Sequence, residues 1–314
     1  MHKYLRAIGF SEVTDRKKLQ TLIGEVVTKT IVHPVEDSED AEERKLHTSK
    51  DFVADSEERI YGELCLDFLT DAGICVRGEF DEKNVFYYEY FFPYLRGSHI
   101  SSCEDISIER HFEKESYAGI CDDIKVGISL IFYLQNMIAY KRLNGLNMLP
   151  VQGTSLTLSG LSVQGTVMMP IIKNEKEKQK SKKASNERNQ LIAQARMGNE
   201  EAIESLTLDD MDTYSTISRK IHKEDVFSLV DTYFMPYGVE CDLYSILGEI
   251  LSVRTDKNRI TQEEVVFMTL ECNELTFDIC INRKDLFGEP AVGRRFKGVI
   301  WLQGYVNYPT ANSN

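Results

Sequence analysis

The run GEPAVGRRFKGVIWLQGYVNY at residues 288–308 decides the fold class. From Val299 to Val306 it alternates with apolar residues on both faces, as a strand covered on both sides does. Gly288, Gly293, Gly298 and Gly304 supply the tight turns and bends that a curled sheet needs. Just upstream, residues 276–282 alternate more cleanly. Phe277, Ile279 and Ile281 share one face, and Thr276, Asp278, Cys280 and Asn282 the other. Further back, 265–272, 244–253 and 225–234 also read as strands. Five strands of this length with one long loop, 283–298, predict an OB-like or other small Greek-key barrel over residues 224–314.

Upstream of the barrel, residues 173–190 hold seven bases, three acids and almost no apolar side chain, which marks a domain boundary. The stretch reads as a linker or the exposed start of a helix. Short helices are expected near 187–197, stopped by Gly198, and over 200–206. A capping-box-like Thr207 and Asp210 then open a third. Residues 173–223 are thus a basic linker with short helices, and residues 1–172 a separate domain. In that domain, residues 14–28 form an amphipathic helix with Leu19, Leu22, Ile23, Val26 and Val27 on one face. Residues 34–58 hold ten acids and three bases and read as a solvated loop. Residues 59–69, 74–80 and 85–91 form a three-strand meander, and 105–113 a fourth strand. Residues 122–143 are apolar nearly all round and read as a buried helix, although 126–134 also suits a strand. The aromatic cluster 87–92 is expected to cover that helix. Residues 153–171 read as short strands about a turn at Ser159-Gly160. The tetrad Val-Gln-Gly-Thr at 151–154 and 163–166 suits a hairpin. The fold class is therefore α+β: a mostly antiparallel sheet packed with helices, a helical connector and a C-terminal barrel.

Composition narrows the function. A net charge of −13 argues against broad affinity for nucleic acid or an anionic membrane. The opening MHKYLRAIGFSEVTDRKKL is charged and lacks an apolar segment, so no cleavable leader is expected. No apolar run approaches the ~20 residues of a membrane span. Seven cysteines (65, 75, 103, 121, 241, 272 and 280) contain no CxxC pair, and reduced thiols in a bacterial cytoplasm are the simplest reading.

Three constellations carry possible chemistry. Asp105, Glu109, His111 and Glu113 fall on one side of the fourth strand, where carboxylates and imidazole could ligate a metal; the plain reading is a solvent-facing side. His111 and Cys121 could pair as imidazole and thiolate, but a thiol at the start of an apolar segment is commonplace in a core. These make Glu109, His111 and Cys121 the weak catalytic candidates. The segment Gly293–Gly298 concentrates Arg294, Arg295 and Lys297 between two glycines, which suits an anion or a partner; the plain reading pairs them with acids such as Glu289. His33, His99 and His222 sit in no recognisable constellation, and Trp301, the one tryptophan, is expected in the core. No phosphate loop, zinc helix, nucleophile elbow or dinucleotide fingerprint occurs. No metal or cofactor is therefore expected.

The phrases MHKYLRAIGFS, SLTLSGLSVQGTVMMPI, DTYFMPYGVECDLYSILGEI and GEPAVGRRFKGVIWLQG resemble a domain-of-unknown-function family. Its members are cytosolic proteins of about 300 residues from clostridial-type Firmicutes. The resemblance covers essentially the whole chain and implies no activity. The leading expectation is a non-catalytic cytosolic binding or regulatory protein. Its barrel loop, with Arg294, Arg295 and Lys297, would contact another protein or a small anionic ligand. The alternatives are an enzyme with a site on the N-terminal sheet, and a nucleic-acid-binding protein.

Overall fold

The computed structural model describes residues 2–32, 48–54, 60–110, 116–123, 125–171, 175–221 and 230–309. The architecture is α+β. Four strands, β1 (Thr48–Ala54), β2 (Ile60–Asp67), β3 (Ala72–Phe80) and β4 (Phe86–Leu95), form an antiparallel sheet in chain order. The predicted meander is there, and β1 joins its edge from within the stretch expected to be a solvated loop. Phe52 and Val53 supply the β-forming residues that let β1 pair with β2. Helix α1 (Arg16–Val32) lies against this sheet through Leu22, Ile23 and Val26, as its periodicity predicts.

The predicted barrel is present and closed. Its staves are β8 (Ser155–Met168), β10 (Leu243–Lys257), β11 (Glu264–Cys272), β12 (Leu275–Asn282) and β14 (Arg295–Asn307). From β10 the ring runs through β11, β12, β8 and β14 back to β10. Only the β12–β8 junction is parallel. This is the neighbour order of an OB barrel whose fifth strand has been moved ahead of its first. One stave thus comes from the N-terminal side of the expected boundary at 172. Val266, Met268, Phe277, Ile279, Phe296 and Ile300 fill the interior.

Around the barrel, β5 (Ile106–Arg110), β6 (Tyr117–Cys121) and β7 (Leu130–Leu134) extend the far end of β14. The strand β9 (Tyr233–Pro236) borders β10, and the two-residue β13 (Leu286–Phe287) borders β8. Helix α2 (Met137–Gly145) follows β7, and α3 (Glu175–Arg196) and α4 (Glu200–Ile221) form the connector.

Four expectations are corrected. Residues 122–143 hold β7 and the start of α2 where one helix was expected. Strand β7 is buried on both faces, and such a run looks like a buried helix in sequence. Of the aromatic cluster expected to cover it, Phe92 packs on Tyr133 of β7 with ring centroids 4.8 Å apart, while Tyr87 and Tyr88 are exposed. Residues 155–168 form one unbroken strand instead of a hairpin. Gly160 is there for close packing, since a Cβ on it would lie 2.9 Å from Ile300 Cδ1. Helix α4 runs on through residue 207, where the Thr207 hydroxyl donates back to the carbonyl of Ile203 at 2.8 Å instead of capping a new helix. The loop expected over 283–298 is shorter: a 3-10 turn at Arg283–Asp285, then β13, with β14 beginning at Arg295. Gly198 does end α3, with φ of 85°. The strand expected over 225–234 lies largely outside the described residues, which place β9 at its end.

A second core joins the outer face of the barrel to the rest. Leu161, Val265, Phe267 and Trp301 pack against the N-terminal 3-10 turn Lys3–Ile8, α1 and the β1–β4 sheet. Trp301 stacks on Tyr4 with ring centroids 5.3 Å apart, and its indole N–H donates to Asp242 at 2.7 Å. Polar bonds latch the N-terminal segment down. Arg6 donates to both carboxylate oxygens of Asp285, Asn258 Nδ2 donates to the carbonyl of Ile8 at 2.8 Å, and the Ser11 hydroxyl donates to Glu263.

Candidate functional site

Register across the barrel builds a polar cleft on its outer face. Ser252 on β10 lies opposite Thr269 on β11, and Thr269 lies opposite Asp278 on β12. Directly opposed residues project to the same side of a sheet, so the three make one row across three staves. The Ser252 hydroxyl donates to Thr269 Oγ1 at 2.8 Å, and Thr269 donates to Asp278 Oδ1 at 2.7 Å. In the next row Arg254 lies opposite Phe267, with its guanidinium carbon 3.9 Å from the ring centroid and Nη2 bonded to Asp71.

The chain leaving β4 closes the other side. Arg96 is held by its backbone N–H to the carbonyl of Asp71 at 2.8 Å, and by a salt bridge to the buried Asp67 at 2.6 Å. Two residues on, the backbone N–H and hydroxyl of Ser98 both donate to Asp278 Oδ2, at 2.6 and 2.7 Å. His99 Nδ1 lies 2.8 Å from the Ser98 hydroxyl and 3.6 Å from Asp278 Oδ2. These residues apart from Asp67, together with Met268, line a cleft of about 170 Å³.

The grouping of serine, histidine and aspartate is not a hydrolytic triad. In a triad the hydroxyl and the carboxylate meet opposite nitrogens of the imidazole, so that one end takes a proton while the other is held. Here both approach Nδ1, and the carboxylate itself takes the hydroxyl hydrogen. The arrangement fixes donors and acceptors in place, as a binding surface does.

The residues singled out in the sequence are placed elsewhere. Glu109 on β5 is exposed and lies opposite Ala118, whereas Cys121 on β6 is buried and lies opposite Ile106. Alternation therefore sends Glu109 and Cys121 to opposite faces. The Cys121 thiol donates to the Ser102 hydroxyl oxygen at 3.6 Å, and burial pushes its pKa up to about 11, which leaves little thiolate at neutral pH. His111 and Glu113 lie outside the described residues. Of the three cations near the C-terminus, Arg294 donates to the carbonyl of Glu289 at 2.7 Å. Arg295 and Lys297 sit within β14. Arg295 is buried, donating to the carbonyls of Met169 at 3.1 Å and Val230 at 2.8 Å. Glu289 pairs with Arg283 at 3.0 Å.

The cleft residues were hard to find in sequence. Ser252, Thr269 and Asp278 converge only once strand register is known, and His99 gains its partner from a strand far along the chain. The one available signal was Asp278 on the polar face of an alternating strand.

Fold and site together define an α+β protein built on a closed five-stranded barrel with a polar cleft on its outer face. Residues 5–304 match the family described as a domain of unknown function from an E. rectale gene, DUF3881, and the chain belongs to that family. The match bears out the resemblance carried by the four phrases. No curated protein and no solved structure matches the chain. Among the described residues no helix is long and apolar enough to cross a membrane.

Proposed function

We propose that this is a binding protein that holds a small oxyanion-bearing ligand, a carboxylate or a phosphate, in the cleft between β10–β12 and the Arg96–His99 segment. The row Ser252–Thr269–Asp278, continued by Ser98 and His99, carries the reading: five polar side chains from four stretches of chain converge there. Arg254 supplies the charge. It is nearly half exposed, lies over the Phe267 ring, and its bond to Asp71 uses one of the five N–H donors a guanidinium carries. Asp278 accepts from Ser98 and Thr269 on its two oxygens, so its lone pairs are engaged; its formal charge persists and is set against the cations Arg254 and Arg96 that line the same cleft.

The barrel argues against a single-stranded nucleic acid here. Such ligands need aromatic faces on which bases stack. Phe267 is buried beneath Arg254, and much of the outer face is covered by the N-terminal segment.

Calorimetric titration with inorganic phosphate and with citrate tests the reading. Saturable binding is expected for at least one of them. It should weaken about tenfold in Arg254→Gln, which removes a charge-assisted hydrogen bond to the anion, and also weaken in Ser98→Ala, which removes a donor that holds Asp278. Binding unaffected by both substitutions, or no binding of either anion, would move the function away from the cleft.

A further inference from the structure

Away from the cleft, the β1–β4 sheet buries a second convergence of reactive groups. Glu63 on β2 lies opposite Arg77 on β3, and Cys65 opposite Cys75. Residues two apart on a strand share a face, so all four side chains point the same way. A carboxylate oxygen of Glu63 and the sulfurs of Cys65 and Cys75 all lie within 4.8 Å of one another. Arg77 is fully buried, and its Nε donates to Glu63 Oε2 at 2.6 Å. Its Nη groups donate to the Tyr90 and Tyr133 hydroxyl oxygens at 2.8 and 3.1 Å and to the carbonyl of Gln135. The other Glu63 oxygen, Oε1, lies 3.9 Å from Cys65 Sγ.

We propose that Glu63, Cys65 and Cys75 form a binding site for a thiophilic divalent metal ion of the zinc class, with Arg77 as the residue that positions the carboxylate. Two sulfurs and one carboxylate oxygen are a donor set that zinc accepts. Around a tetrahedral zinc, ligand atoms stand roughly 3.5–3.8 Å apart, so closure asks for side-chain adjustments of about an ångström. Metal-ligating carboxylates are themselves held by hydrogen bonds. Here Arg77 holds Oε2 and leaves Oε1 beside the sulfurs.

The charges also balance. Two thiolates and a carboxylate carry −3, and a divalent ion with the Arg77 guanidinium returns +3, so the filled site is neutral despite its burial. Each thiol gives up its proton as its sulfur takes the metal. Two protons are therefore released per ion, and affinity rises with pH. Cys75 is fully buried, while Cys65 keeps 9% of its surface exposed. That opening gives the ion its way in and leaves a coordination position for water.

The test uses the full-length protein, reduced and stripped with a chelator, titrated with cobalt(II) chloride and then zinc chloride. Expected are one cobalt per chain with thiolate-to-cobalt charge-transfer absorption, displacement by zinc, and release of two protons. Affinity should fall at least about a hundredfold in Cys75→Ser and about tenfold or more in Glu63→Gln, in line with loss of a ligand. A wild-type chain with no charge-transfer band overturns the proposal, whatever the variants do. So does cobalt bound equally well by Cys65→Ser and Cys75→Ser. Should the serine variants fail to fold, zinc must still protect both wild-type thiols from alkylation in mild denaturant; equal labelling with and without zinc overturns the site.

Discussion

Glu263 shows how much one side chain does in the N-terminal latch. Its carboxylate accepts from the Ser11 hydroxyl, from Asn282 Nδ2 at 2.6 Å and from Lys284 Nζ at 2.9 Å. Burial alone would raise its pKa, but the bonds from Ser11, Lys284 and Asn282 outweigh burial and hold it below the usual carboxylate range. A carboxyl whose folded pKa is depressed stabilises the fold fully above its unfolded value of about 4.3, and loses that contribution as pH falls through the folded value. Glu263→Gln should therefore cost about 1.5–3 kcal/mol near pH 7, the range for hydrogen bonds to a charged group. The difference from wild type should close as pH falls from the unfolded value of about 4.3 through the depressed folded value. Urea denaturation at a series of pH values checks this; a difference independent of pH would mean that the charge plays no part. A finer probe is Trp301, the sole tryptophan, which stacks on Tyr4 of the segment the latch holds down.

At the level of elements, close approaches decide where strands can lie. The ring of Phe132 on β7 sits between two glycines on neighbouring strands. A Cβ on Gly119 would lie 2.1 Å from Phe132 Cζ, and one on Gly304 would lie 2.3 Å from Cδ2. Gly304→Ala is expected to destabilise by about 1–3 kcal/mol through overpacking. Phe132→Leu should recover part of the loss in the double variant. Additive costs in that double-mutant cycle would show that ring and glycine do not meet. The same elements explain what was legible in the sequence. Strand β12 alternates cleanly, because one face fills the barrel and the other carries polar groups such as Asp278, and β11 is a compact apolar run bounded by Glu264 and Glu271. Both were found to within a residue or so. Strands β7 and β8 are covered on both faces, so nothing in their pattern separated strand from helix, or one strand from two. Gly160 looked like a turn because a glycine that admits Ile300 and a glycine that bends the chain are the same letter. The cleft depends on register between strands, which no local pattern records.

Over the whole molecule, the barrel divides the chain in an unexpected way. Its fifth stave lies before the connector helices, and Ser155 at the start of β8 is the register partner of Asn307 at the end of β14. A fragment spanning 230–309 lacks β8 and leaves the edges of β12 and β14 open. It is expected to show no cooperative unfolding transition. Joining 155–168 behind residue 309 through a short hairpin turn should close the ring and restore cooperativity, with Trp301 reporting. If the shorter fragment folds alone, residues 224–314 are a self-sufficient domain and β8 is an accessory.

The early position of β8 also sets a timetable for biosynthesis. Its partner strands β12 and β14 begin at residues 275 and 295, more than a hundred residues after β8 ends at 168. At about 5–20 residues per second, a ribosome takes roughly 5–20 s to deliver β12. Throughout that interval the nascent chain carries a fourteen-residue strand with neither of its barrel neighbours, an edge that invites pairing with other chains. The acidic and lysine-rich stretches on either side of it, solubilising by composition, are synthesised before that wait ends.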